Sequence, residues 1–332
     1  MTTEHINKLL SQGIFPEETG KPELMETHIS WVILCDQFVY KIKKPVHYSF
    51  VDFSTLALRR YYCNREIELN KRLTQNVYIE VLPIREWHET IIIGGNKGTI
   101  IDYTVKMHKL DTEKRMDKLL IQHLVTEPDI KKLAEKIAFF HKKTTIIYQK
   151  DLLDIREKFN DLEGEKEYLS QQSDGSFSAI IDRTIEFSNK FLNKHKELIA
   201  KRLRDGFYRD CHGDLHSRNI FLLPDPVPFD CIEFNDDFRQ IDVLNEVAFL
   251  CMDLDAFDRK DLSALFLEYY NEYFPAMKTE SERNLFIYYK IYRANIRAKV
   301  SALRAKSATT DEERTRSLTA VKKYLYLMES YM

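Results

Sequence analysis

Apolar and polar positions alternate in the first third of the chain and follow helical spacing in most of the rest. Residues 29–35 and 38–43 are short apolar-rich runs split by Asp36-Gln37, which predicts a hairpin. Residues 5–15 and 55–73 have the spacing of amphipathic helices. Residues 78–84, 90–93 and 98–107 read as three more strands, with Gly94-Gly95-Asn96 turning between the last two. The pattern predicts a five-stranded antiparallel sheet with one helix. From there the spacing is mainly helical, over 116–123, 127–144, 152–160 and 178–203 and from Asp242 onward. Strand-like runs return only at 207–209, 220–223 and 229–234. The chain thus divides into a sheet-rich N-lobe, 1–106, and a helical C-lobe, 107–332, in an α+β fold.

Composition narrows the class. The 332 residues are 44% hydrophobic and 31% charged, enough to bury a large core in two lobes. A net charge of −2 lacks the broad positive footprint of a nucleic-acid binder. No apolar run is long enough to span a bilayer, and the first residues lack a basic segment followed by an apolar stretch. A cytoplasmic protein without membrane or nucleic-acid partners is expected. Five cysteines with no Cys-x-x-Cys argue against a disulfide framework or zinc cluster.

Chemistry concentrates in His212-Gly-Asp-Leu-His-Ser-Arg-Asn219. This polar stretch runs into the apolar residues 220–223, a turn with three prolines, and a second apolar run that delivers Asp230 and Glu233. A hairpin there would gather Asp214, Asn219 and Asp230 into a hard oxygen site suited to Mg²⁺. Phosphoryl transfer needs a carboxylate to orient the acceptor hydroxyl, metal ions on the phosphates and a lysine on the α/β phosphates. Asp214 and Asn219 stand five apart, the spacing of catalytic Asp and metal-binding Asn in kinase catalytic loops. Glu233, Asp236 and Asp237 continue the acidic run, either as solvated charge or to assist the metal or attract a cationic acceptor.

His212–Asn219 resembles the catalytic loop of the aminoglycoside phosphotransferases and their choline-kinase-like relatives. The stretches 229–237, 241–250, 26–31 and 38–45 are similar to a bacterial branch of that superfamily. The resemblance implies a protein-kinase-like bilobal fold, with a catalytic loop at 212–219 and a metal loop at 229–237. It also implies ATP or GTP and Mg²⁺ as cofactors and a small-molecule hydroxyl as acceptor. Asp214 would be the catalytic base, with His212 bracing the loop and His216 shaping the acceptor side. Asn219 and Asp230 would bind the metal. Lys41 would contact the α/β phosphates and pair with Glu66; Lys43 shares its face, and Glu68 is the competing helix glutamate. Met107, His108, Lys109 and Leu110 would form the adenine hinge, and Asp242 would anchor the catalytic loop. No Gly-rich loop separates the first two strands, so either Ser30 and backbone amides cover the phosphates or phosphate binding is weaker. No protein-kinase activation segment follows Asp230. The expected activity is γ-phosphate transfer to a small molecule; the alternative is a catalytically weak, pseudokinase-like regulatory module.

Overall fold

The computed structural model of the chain describes every residue except Asp174. Its contacts group into two units. The first is Met1–Lys118 with Asn219–Phe238, and the second is Leu119–Arg218 with Arg239–Met332. The division expected from sequence fell once, at 106/107. Here the chain enters the first unit twice, because Phe221 and Val227 pack with Val39, Val77, Val105 and Met107.

The first unit is built on a six-stranded antiparallel sheet: β1 (Glu23–Glu26), β2 (Ser30–Leu34), β3 (Phe38–Lys43), β4 (Tyr78–Trp87), β5 (Thr90–Ile93) and β6 (Thr99–His108). Their order is β1-β2-β3-β6-β4-β5. The sixth strand, absent from the sequence reading, is β1. It is an edge strand exposed along its whole length, so it carries no apolar alternation. Side chains of β3 alternate between faces. Tyr40 and Ile42 join Trp31, Ile33, Ile84 and Ile91 under the N-terminal helix Thr3–Gln12. Val39 packs on the opposite face with Cys63, Val105 and Met107. Lys41 and Lys43 share the parity of Val39. The helix Leu56–Asn70 buries Arg59, Cys63, Glu66 and Asn70. Their spacing of four, three and four residues makes one stripe.

The second unit is mainly helical. The helix Val243–Ala256 has all of its residues buried. Such a helix is expected at the centre of a bundle, and the helices Glu280–Ser307 and Asp311–Ser330 contribute to the core beside it. The buried carboxylates of this helix are partnered: Asp253 accepts from the Ser217 amide at 2.8 Å, and Asp255 accepts from Tyr331 at 2.5 Å and pairs with Lys290. Residues 229–234, expected as a strand, are irregular; pairing ends at Val227–Pro228. Among the described residues no helix is long and apolar enough to cross a membrane.

Candidate functional site

Two constellations hold the functional residue types, one in each unit. In the first unit, Lys41 Nζ donates to Glu66 Oε1 at 2.7 Å and to Asp230 Oδ1 at 2.5 Å. Lys43, one period along the same strand face, donates to Glu66 Oε2 at 2.8 Å and pairs with Glu233. Glu66 therefore bridges both lysines, each oxygen serving one. Burial works against charge on Lys41, but Asp230, Glu66 and Glu233 outweigh it and hold the ammonium well above its usual range. Burial likewise opposes ionisation of Glu66, and the two lysines overcome it and keep the carboxylate low. Glu233 moves the other way: burial pushes it up and Lys43 only partly compensates. Two lysines face three carboxylates, of which Asp230 is the most exposed. A hard divalent cation fits such a site.

Backbone placement of Asp230 is tightly specified. Asn219 closes the short pair Ile220–Phe221/Val227–Pro228, its carbonyl accepting from the Phe229 amide at 3.0 Å. The metal-ligand candidates Asn219 and Asp230 therefore sit at the same end of one hairpin. Asp230 takes a left-handed φ of +63°, a cost of about 1–2 kcal/mol for a residue with a Cβ. Tyr78 and Asn70 hold it there: the Asp230 amide donates to the Tyr78 hydroxyl at 3.1 Å, and the Cys231 amide donates to Asn70 Oδ1 at 2.9 Å. Asn70 in turn donates to the Glu66 carbonyl at 2.8 Å. One helix stripe thus carries both the lysine partner and the brace of the Asp230 loop.

The second unit holds the loop before Asn219. Gly213 adopts φ +89°, open to glycine without penalty. Its amide and that of His212 both donate to Glu246 Oε1, at 2.6 and 2.7 Å. Its carbonyl accepts from Arg293 Nη1 at 3.1 Å. Glu246 Oε2 lies 2.6 Å from His141 Nε2, and His141 Nδ1 lies 2.7 Å from the Tyr270 hydroxyl. His141, Cys211 and Glu246 offer ligand atoms within 4.8 Å of one another. Glu246 is already occupied by two amides and an imidazole, so the set reads as a brace. Asp214 donates its amide to His212 Nδ1 at 3.2 Å and presents its carboxylate 3.3 Å from His216 Nε2. Burial pushes the Asp214 carboxyl up, but His216, Arg297 and His212 hold it well below the usual range. It is an ionised hydrogen-bond acceptor.

The remaining sequence candidates are placed as follows. Ser30 is buried at the start of β2, with no partner for its hydroxyl oxygen among the described residues. Met107 and His108 end β6, and the amides of His108 and Lys109 already donate to the carbonyls of Val77 and Gln37. Two of the segment's amides are therefore engaged already, and Met107 is paired in the sheet with both Val39 and Tyr78. Asp242, expected to anchor the catalytic loop, instead caps its own helix and binds Arg202 at 2.6 and 2.8 Å. The loop amides go to Glu246, one turn further on. Glu233 is spent on Lys43, and Asp236 begins a short helix, Asp236–Arg239. Sequence reasoning missed Lys43 as a structural cation, and Glu246, His141 and Arg293 altogether. The signal for Glu246 was its i,i+4 relation to Asp242. His141 and Arg293 lie far along the chain and carried none.

Comparison with known proteins bears on the fold. The chain is similar to a choline kinase from Cryptosporidium parvum (TM-score 0.58, 11% identity, 99% of this chain and 97% of that one). It is also similar to an ethanolamine kinase from Plasmodium vivax (TM-score 0.52, 11% identity, 98% and 87%). A GDP complex of an aminoglycoside 2′-phosphotransferase aligns at TM-score 0.50 and 13% identity, over 99% and 96%. The fold is therefore the protein-kinase-like bilobal α+β fold of choline kinases and aminoglycoside phosphotransferases. In sequence, the chain is 31% identical over 288 residues to an uncharacterised protein of Mycobacterium tuberculosis, and that match takes in 85% of this chain. It spans about half (55%) of that relative's length. No family model matches.

Proposed function

We propose, from the premise of a small-molecule-kinase fold, that this chain transfers the γ-phosphate of ATP or GTP to a hydroxyl of a small molecule. The observation that carries the reading is Lys41, whose ammonium bridges Glu66 and Asp230. Phosphoryl transfer needs a fixed cation for the phosphates beside a carboxylate for the metal, and Glu66 keeps Lys41 charged and aimed. Asp230 and Asn219 would hold Mg²⁺, which when bound neutralises phosphate charge. Lys41 would exchange Asp230 for phosphate oxygens as nucleotide arrives. Asp214 would orient the acceptor hydroxyl, its low proton affinity making it an acceptor in the ground state and a proton sink only as the oxygen attacks. His216 and His212 keep that carboxylate ionised and positioned. Most of the rate enhancement would come from positioning and charge.

A nucleotide-binding module without transfer is the second reading. The chain has no glycine between Lys21 and Ile93, so no Gly-rich loop covers the phosphates, and Ser30 would take that place. Thermal-shift titration with ATP and GTP, with and without Mg²⁺, tests the common ground. Wild type is expected to gain stability only with nucleotide and metal together, and Asp230→Ala to lose the gain. No shift with either nucleotide would remove the support for both readings. A shift without turnover across a broad acceptor screen favours the module.

A further inference from the structure

The surroundings of Asp214 in the second unit are rich in cations. Arg293, Arg297 and Arg304 stand four and seven residues apart on the helix Glu280–Ser307, within roughly 40° of one another around its axis. They run outward from the catalytic loop. Arg293 is buried and holds Gly213; Arg297 is half-buried and donates to the Tyr324 hydroxyl at 3.3 Å; Arg304 is exposed. Lys323, exposed on the helix Asp311–Ser330, lies over the Phe257 ring at 5.0 Å. Neither the Arg304 guanidinium nor the Lys323 ammonium has a hydrogen-bond or ion-pair partner among the described residues. Arg218, in the catalytic loop itself, lies close enough to raise the positive potential at both.

Three carboxylates oppose these groups: Asp214, Asp253 and Asp258. Asp214 lies against His216 and Asp253 accepts from the Ser217 amide; both support charged Arg297, while Asp258 supports Lys323. Although its side chain reaches the surface, Arg304 is pulled below its ordinary range by partial desolvation from the surrounding helices and then by the like charges of Arg297 and Arg218. Partial desolvation also pulls Lys323 down against the opposing Asp253 and Asp258, with Arg218 and Arg297 adding to the lowering. Arg218, Arg297, Arg304 and Lys323 against Asp214, Asp253 and Asp258 leave one net positive charge, and Arg304 and Lys323 have no hydrogen-bond or ion-pair partner of their own among the described residues, an arrangement that disfavours an amine. An incoming anion would relieve it.

We propose that the acceptor is an anionic alcohol, a small molecule carrying a carboxylate or phosphate beside the hydroxyl that Asp214 orients, with Arg297, Arg304 and Lys323 holding the anion. Arginine suits both groups, since its planar fork matches either geometry. The assignment rests on the phosphotransferase reading and makes it specific. It also runs against the expectation that the acidic residues after Asp230 draw in a cation.

Matched acceptors test it. Transfer of label from γ-labelled ATP with Mg²⁺ is measured to glycerol, ethanolamine, glycerate and glycerol 3-phosphate, and to glucose, glucosamine, gluconate and glucose 6-phosphate. In at least one set the anionic member is expected to exceed its neutral and cationic counterparts by about tenfold or more in kcat/KM. Glycerate against glycerol 3-phosphate, and gluconate against glucose 6-phosphate, separate carboxylate from phosphate. Arg304→Glu and Lys323→Glu, both exposed and checked for unchanged Tm, should raise KM for the anionic member by about tenfold, with Arg304→Lys intermediate. Preference for a neutral or cationic member, indifferent to Arg304→Glu, would overturn the proposal and leave the phosphotransferase intact. If no acceptor is labelled, calorimetric titration of glycerol 3-phosphate and glycerate into wild type and Arg304→Glu decides: no saturable binding lost in the variant overturns it. Loss of Mg²⁺-dependent nucleotide binding would instead mark failure of the underlying reading.

Discussion

Lys43 provides the sharpest stability test, because it separates a structural cation from the lysine two residues away that is proposed to bind phosphate. Its side chain is 1% exposed, and its partners Glu66 and Glu233 are 0% and 4% exposed. Lys43→Met keeps most of the volume and removes the charge. Glu66 retains Lys41, but Glu233 loses its direct partner and is left as a buried carboxylate. Breaking such a pair from one side costs about 3–5 kcal/mol. Both tryptophans, Trp31 and Trp87, belong to the first unit, so fluorescence during urea unfolding reports on that unit alone. The cost should depend on pH. Glu233 already has a raised proton affinity in the folded state, and losing Lys43 raises it further. A carboxyl with a raised folded pKa binds more protons when folded, so the variant should be least impaired near pH 5 and worsen as pH rises. Adding Glu233→Gln removes the stranded charge and should recover at least about 2 kcal/mol at pH 7.5. A loss under about 1 kcal/mol that does not vary with pH, or no recovery in the double variant, would refute the reading of Lys43, Glu66 and Glu233 as one buried ion cluster.

Other outcomes follow from the same contacts. Lys41→Met should cost the first unit less than Lys43→Met, since Glu66 keeps Lys43 and Asp230 is half exposed, yet weaken nucleotide binding about tenfold or more in a Mg²⁺·ATP titration. Glu246→Gln retains one acceptor for two loop amides but loses the negative charge facing His141; it should lower turnover about tenfold with nucleotide affinity unchanged, read by steady-state kinetics beside calorimetry. The folded Asp214 carboxyl is depressed, so its ionised form is the stable one above the unfolded value and its contribution is lost only as pH falls through the folded one. Asp214 should therefore produce no acid limb in kcat above about pH 4, measured between pH 5 and 8.

What could be read from the sequence depended on how local the signal was. The motif at 212–219, the alternation of β3 and the stripe of the helix Leu56–Asn70 are local patterns; with the family resemblance they singled out Lys41, Glu66, Asp214 and Asp230, and the structure pairs Lys41 with Glu66 and Asp230. β1 escaped because an exposed edge strand has no apolar face to announce it. The return of 219–238 to the first unit escaped because it depends on Phe221 and Val227 meeting residues more than a hundred positions earlier. Parity alone could not choose between Lys41 and Lys43. The structure shows that both pair with Glu66 and that they differ in the second carboxylate each reaches. Asp242 and Glu246 share one helix, and which of them turned toward the loop depended on Arg202, which no local pattern connects to either.

The most direct test of the central claim is transfer of the γ-phosphate itself. Wild type and Asp214→Asn are incubated with γ-labelled ATP, Mg²⁺ and a small-molecule extract, and the label is followed into non-nucleotide products. Wild type is expected to label a small molecule, and Asp214→Asn to bind Mg²⁺·ATP as well as wild type while losing about 100-fold or more of the transfer. Equal labelling by both proteins, or nucleotide binding by wild type with no label leaving ATP for any small molecule, would contradict the account.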